Sequence, residues 1–197
     1  MIYIDMVSEN IQFFILPGFD TLSAPFSDRF SQLESIGIRT SLLSRKKLVN
    51  LLSNYECSNH VRKESILWSV QPTPKSADVI VEDSSDIVPY SDTVIYAMNE
   101  TGDKLLFFFI VRFESTMVLR VILFYCPYPY DVPSIHKLIE YMHLMGATSI
   151  RLESFVETID VYKTLGFVRD DIHYNDIQLR IVKKRGFIPM LYATPVI

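Results

Sequence analysis

A chain of 197 residues that is 49% apolar and 13% aromatic has material for one fully cored domain and is marginal for two. Its formal charge is −4, and its basic clusters, Arg45-Lys46-Lys47 and Lys183-Lys184-Arg185, are too short to track a phosphate backbone, so nucleic acid is not the expected partner. Cys57 and Cys126 make no disulfide framework, and Cys57 with His60 lacks the second ligand pair of a zinc site, so no metal is expected.

The N-terminus lacks the basic and long apolar regions of a secretory signal. The apolar piece 105–111 is too short to span a bilayer. The chain therefore reads as soluble and intracellular, cytoplasmic with a nuclear setting left open, and with no membrane partner.

In chain order, 11–16 is a strand stopped by Pro17-Gly18. Helical spacing follows at 27–36 and 44–52, where Leu48, Leu51 and Leu52 share a face and Ser44 can cap. Residues 66–70 and 78–82 read as strands, the second inside a Pro-, Ser- and Asp-rich connection at 72–89. The pattern is sharper from Thr93. Strands at 93–98 and 104–113 flank a turn in which Gly102 supplies positive φ, and a third strand covers 117–126. The middle strand is apolar on both faces, Leu105, Phe107, Phe109 and Val111 on one, Leu106, Phe108 and Ile110 on the other. Such a strand sits centrally in a sheet covered on both sides.

Helical spacing of Val132, Ile135, Leu138, Ile139, Met142 and Met145 predicts a helix over 131–145, stopped by Gly146. A strand at 149–152 follows. Ser154 and Glu157 are spaced as a capping box for a helix ending at Gly166. Strands at 167–169 and 177–182 close the chain. The order implies an α/β fold with a mixed, largely antiparallel sheet flanked by helices.

That order and the motif Tyr162-Lys163-Thr164-Leu165-Gly166-Phe167, placed after the strand Ser149-Ile150-Arg151-Leu152-Glu153, resemble the GNAT N-acetyltransferase superfamily. The resemblance covers 93–182 as the core, with 1–90 as a poorly matched strand-and-helix portion of one domain spanning 1–197. It implies acyl transfer from acetyl-CoA or another acyl-CoA to an amine, on a small molecule or a protein. In the family a splayed strand holds the pantetheine arm and helix amides bind the diphosphate. It further implies that Tyr162 protonates the leaving thiolate and that backbone at Tyr125, Val132 and Ser134 contacts the cofactor. Glu153, or else Glu100, is the candidate base.

The loop Cys126-Pro127-Tyr128-Pro129-Tyr130-Asp131-Val132-Pro133-Ser134 departs from the family's glycine-rich, basic pattern. Its three prolines donate no hydrogen bond, and Asp131, expected to cap the helix, opposes a phosphate. Arg120, His136 and Lys137 are the cations near enough in sequence to compensate. Phe155 replaces the family's frequent asparagine. His136 and His143 share a helix face without a third metal ligand. A second function therefore stands beside acyl transfer: an inactive member of the fold that binds a protein through Tyr128 and Tyr130.

Overall fold

A computed structural model describes residues 10–18, 24–53, 93–126 and 129–195. The strands expected at 66–70 and 78–82, the connection at 72–89, Cys57 with His60, Pro127 and Tyr128 lie outside the described residues.

The described residues form an eight-stranded mixed sheet in the order β2-β1-β3-β4-β5-β6-β8-β7. Its strands are β1 (Gln12–Leu16), β2 (Ile38–Thr40), β3 (Thr93–Met98), β4 (Leu105–Ser115), β5 (Val118–Tyr125), β6 (Ser149–Phe155), β7 (Val168–Arg169) and β8 (Phe187–Ala193). The helices among the described residues are α1 (Arg45–Ser53), α2 (Asp131–Leu144), α3 (Ile159–Thr164) and α4 (Asp176–Lys184). A 3-10 segment, Ala24–Ile36, links β1 to β2, and a 3-10 turn, Val156–Thr158, precedes α3. β1 with β2 and β5 with β6 pair in parallel, and the remaining neighbours are antiparallel.

The central, doubly covered place expected of the two-sided apolar strand holds, but Leu105 and Leu106 lie on the faces opposite to those that alternation assigned them, because the β3–β4 register shifts from Ala97↔Phe107 to Met98↔Leu105. β4 lies inside the sheet, and all seven residues at 105–111 are buried. Phe107, Phe109 and Val111 join Ile135, Leu138, Tyr141 and Met142 of α2 in one cluster. Phe108 and Ile110 join Leu48 and Leu52 of α1 in a second cluster on the opposite face. Ser44 caps α1, its Oγ accepting from the Lys47 amide at 3.3 Å. Gly146 and Gly166 end their helices at φ +79° and +94°, a conformation that costs glycine no Cβ clash.

Three further sequence expectations fail. Residues 177–182 are helix, not strand: Asn175 Oδ1 accepts from the Gln178 amide at 2.8 Å, and Gln178 Oε1 accepts from the Asn175 amide at 3.0 Å. The capping box thus sits at Asn175/Gln178. The alternation of Ile177, Leu179 and Ile181 imitates a strand, yet Ile177 and Ile181 are exposed while Val182 is buried. The closing strand is instead β8, which the sequence reading missed because Pro189 interrupts it. Pro189 accepts through its carbonyl from the Asp170 amide at 2.9 Å, just beyond the end of β7, so its missing N–H deprives no neighbouring strand of a donor.

The Ser154/Glu157 capping box does not form. Ser154 is still in β6, paired with Ile188, and its fully buried hydroxyl bonds the Phe155 carbonyl and Thr158 Oγ1, both at 3.0 Å. Asp131 is the first helical residue rather than the cap, which is Tyr130 and makes no side-chain cap bond.

Candidate active site

The site is built by two strands that part company. β5 and β6 pair only at Val118↔Ser149, Leu119↔Ile150 and Arg120↔Arg151. Beyond Arg120, β5 stays paired to β4 as far as Phe108↔Tyr125, and β6 stays paired to β8 as far as Phe155↔Phe187. Residues 121–124, apart from Ile122, and 152–154 thus keep their outer partners while pairing between β5 and β6 has ended. The divergence begins where the β4–β5 register shifts, with Val111↔Val121 followed by Ile110↔Leu123, leaving Ile122 as an extra residue. A bulge of this kind bends and overtwists its strand, which turns β5 away from β6. The result is a wedge lined by backbone N–H and C=O groups.

Tyr162, from α3, stands at this wedge on the α2 face. Its ring meets Phe124 of β5 edge-on at 6.3 Å and Phe167 at 5.5 Å. The side chain is 5% exposed, and its hydroxyl has no hydrogen bond among the described residues. Burial pushes the phenol well above its ordinary value, and the nearby Cys126 and Asp131 push it further.

Cys126, after the end of β5, contacts Ser134 of α2, Sγ to Oγ at 2.5 Å. Ser134 Oγ also donates to the Asp131 carbonyl at 2.8 Å and is fully buried. Burial raises the Cys126 thiol to about 12, the Asp131 charge adding to it and the Ser134 bond opposing it. Cys126 is therefore a neutral thiol, not a nucleophile.

Glu153 stands on the other face of β6, since alternate strand residues point to opposite sides. Its carboxylate accepts from the Tyr174 hydroxyl at 2.8 Å and faces the Arg120 guanidinium at 3.8 Å. Tyr174 is pushed up to about 12 by burial first and by the Glu153 bond and charge next. The sequence reading missed Tyr174, which lies in the loop after β7 and carries no local signal. Above its unfolded value near 10 an exposed tyrosine would ionise while the folded one holds its proton, so this group's stabilisation is lost as pH rises from about 10 to about 12. Tyr174→Phe should accordingly show a shallower alkaline loss of stability than the native chain, measured by denaturant unfolding across that pH range; superimposable profiles would reject the coupling.

Other predicted residues are placed elsewhere. Glu100 lies in the β3–β4 turn, held to Asn10 and Gln12, with β5 between β4 and β6. Tyr125 ends β5 with its ring against Phe108 at 6.1 Å, on the α1 side. Tyr130 is half-buried against Phe107 at 6.3 Å. Val132 is 40% exposed. His136 and His143 are exposed, and no cluster of three metal-ligating residues occurs among the described residues.

The start of α2 is a poor cradle for the diphosphate of an acyl-CoA. Asp131 Oδ1 accepts from the Val132 amide at 3.0 Å, and Pro133 has no N–H. Arg120 is engaged by Glu114 at 3.1 Å, and Lys137 by Glu140 at 2.6 Å and the Ile36 carbonyl at 2.5 Å. Neither compensates Asp131.

A central, mostly antiparallel sheet flanked by helices, with a parallel pair that splays beside the Tyr-x-x-x-Gly-Phe helix, is the arrangement the sequence resemblance implied. The fold is GNAT-like. No family model matches the chain, and no curated protein matches it. Solved structures do. The N-acetyltransferase PseH of Campylobacter jejuni aligns at TM-score 0.46 and 11% identity over 79% of this chain and 94% of its own. The spermidine/spermine N-acetyltransferase SpeG of Vibrio cholerae aligns at TM-score 0.46 and 11% identity over 74% and 86%. A GNAT family acetyltransferase of Elizabethkingia anophelis, solved with acetyl-CoA bound, aligns at TM-score 0.41 and 9% identity over 52% and 76%. Likeness at this level carries no chemistry from those proteins to this GNAT-like chain. No helix among its described residues is long and apolar enough to cross a membrane.

Proposed function

We propose that this GNAT-like protein transfers an acyl group from a thioester to a primary amine, the thioester arm lying in the wedge between β5 and β6. The observation that carries the reading is the end of pairing at Arg120↔Arg151 beside Tyr162. Amide groups of a pantetheine-type arm can complete the hydrogen bonds left open along residues 121–124 and 152–154.

The wedge joins the two faces of the sheet, with Tyr162 on one and Glu153 on the other. An amine entering from the Glu153 side attacks the thioester carbonyl, forming the C–N bond. The C–S bond then breaks, and the leaving sulfur, on the other side, receives a hydrogen bond from the Tyr162 phenol. The proton lost by the amine passes to Glu153. The acceptor is an amine on a small molecule or a protein.

A second reading is favoured by one observation, the unsuited start of α2: a catalytically silent protein that captures a partner through the segment carrying Tyr128 and Tyr130. The two separate in one assay. The chain is incubated with acetyl-pantetheine or acetyl-CoA and a mixture of polyamines, amino sugars and lysine peptides, and products are read by mass spectrometry. Protein-dependent acetyl-amine, lost in Glu153→Gln, is expected. Absence of product with every pairing would sink the transferase reading.

A further inference from the structure

Resting on the transferase reading, the wedge and the start of α2 together narrow the donor. A nucleotide diphosphate is held at a helix start by free amides and by the positive end of the helix dipole. Here Pro127, Pro129 and Pro133 offer no N–H, and the Val132 amide is occupied by Asp131 Oδ1 at 3.0 Å. The Asp131 carboxylate also puts a negative charge on the turn that the diphosphate would approach. Among the described residues no ion pair reaches Asp131. The helix start has thus supplied its own anion.

The wedge makes no such demand. Its unpaired edges, 121–124 and 152–154, are neutral peptide groups, and Phe124, Tyr162 and Phe167 give its α2 side an aromatic wall. These features match the amide-and-methylene chemistry of pantetheine and offer nothing to a nucleotide. We propose that the donor is a pantetheine thioester carrying no nucleotide diphosphate, either free or attached to a carrier protein.

Titration calorimetry with S-ethyl-pantetheine and S-ethyl-CoA, thioethers that cannot transfer an acyl group, tests this on the full chain. The pantetheine compound is expected to bind at least as tightly as the CoA compound. Asp131→Asn should tighten the CoA compound alone, by about five-fold or more, since like charges a few ångströms apart in water repel by roughly 1 kcal/mol. Binding of S-ethyl-CoA about ten-fold or more tighter than S-ethyl-pantetheine by the native chain would overturn the inference and leave acyl transfer standing. No binding of either at millimolar concentration would overturn the inference and the wedge reading together. A third titration, with a phosphopantetheinylated carrier domain against its unmodified form, tells the sources apart. Tighter binding of the modified domain than of S-ethyl-pantetheine assigns the donor to a carrier, and the reverse order assigns it to the free thioester.

Discussion

Replacing Arg151 with methionine is expected to lower the free energy of unfolding by about 3 kcal/mol, the lower end of what breaking a buried ion pair costs. For a chain of this size that corresponds to a midpoint roughly 6–12 °C lower. Arg151 Nε donates to Asp170 Oδ2 at 3.1 Å, its Nη1 bonds the Glu114 carboxylate, and its guanidinium lies 5.4 Å from the centre of the Tyr174 ring. Asp170 has no exposed surface. Burial pushes its carboxyl up, but bonds from the His173 ring and amide and from Arg151 more than offset this and leave it below the ordinary value. Methionine fills the volume of the arginine stem while stranding that carboxylate. The cost stays at the low end because Asp170 keeps the amides of Ile172 at 3.2 Å and His173 at 3.1 Å.

Two measurements check the cause. In a double-mutant cycle with Asp170→Asn, the two changes together should cost less than their sum, with a coupling of roughly 1–3 kcal/mol. The pH dependence carries the sign. A carboxyl held below its unfolded value, near 4, stabilises fully above that pH and loses the contribution as pH falls through its lower folded value. Arg151→Met should therefore begin to unfold at higher pH than the native chain on acidification. Additive single effects, or identical acid profiles, would show that the remaining donors suffice for Asp170.

Tyr162→Phe is expected to lower the turnover of thioester aminolysis by about 100-fold, in the range that loss of one positioned proton or hydrogen-bond donor gives. Stability should stay within about 0.5 kcal/mol of the native value, because the hydroxyl bonds nothing among the described residues while the ring packing on Phe124 and Phe167 is kept. The raised phenol keeps its proton at any pH at which the enzyme would work, so its role is to donate a hydrogen bond to the developing thiolate. Turnover should accordingly show no alkaline limb from Tyr162. Binding of S-ethyl-pantetheine should be unchanged in Tyr162→Phe, separating a donor role from a merely packed ring. Equal turnover in the variant and the native chain removes Tyr162 from the chemistry.

The sheet from β3 to β6 and helix α2 were legible because long apolar segments have one physical solution. Residues 105–111 admit only a doubly covered strand, and α2 repeats its apolar positions at helical spacing up to Gly146. The C-terminal end was less legible. Period-two spacing of Ile177, Leu179 and Ile181 outweighed the Asn175/Gln178 capping pair, although the pair states a helix start more directly than three isoleucine or leucine positions state a strand. Pro189 hid β8, since a proline is tolerated inside a strand only where no neighbouring strand needs its N–H, and that depends on where β7 ends.

Within the candidate site, the motif placed Tyr162 at the wedge, and chain order alone brought Glu153 to the opposite face. The wedge itself depends on the extra residue at Ile122, which no local pattern announces. Tyr174 depends on the return of the loop after β7, a long-range contact of the kind a linear reading does not see.

Among the described residues the sheet's two rims are finished by its shortest strands, β2 with three residues and β7 with two. An open rim is a template on which another chain can add a strand, and a rim this short presents too few free peptide groups to hold one. β7 is further fastened through Asp170, next in sequence, whose amide bonds Pro189 and whose carboxylate bonds Arg151. The ion pair that steadies the interior thus also helps keep the outermost strand in place, and losing it would uncover β8 to neighbouring molecules. Strand-to-strand self-association in concentrated solution is the failure this end of the fold is built to resist.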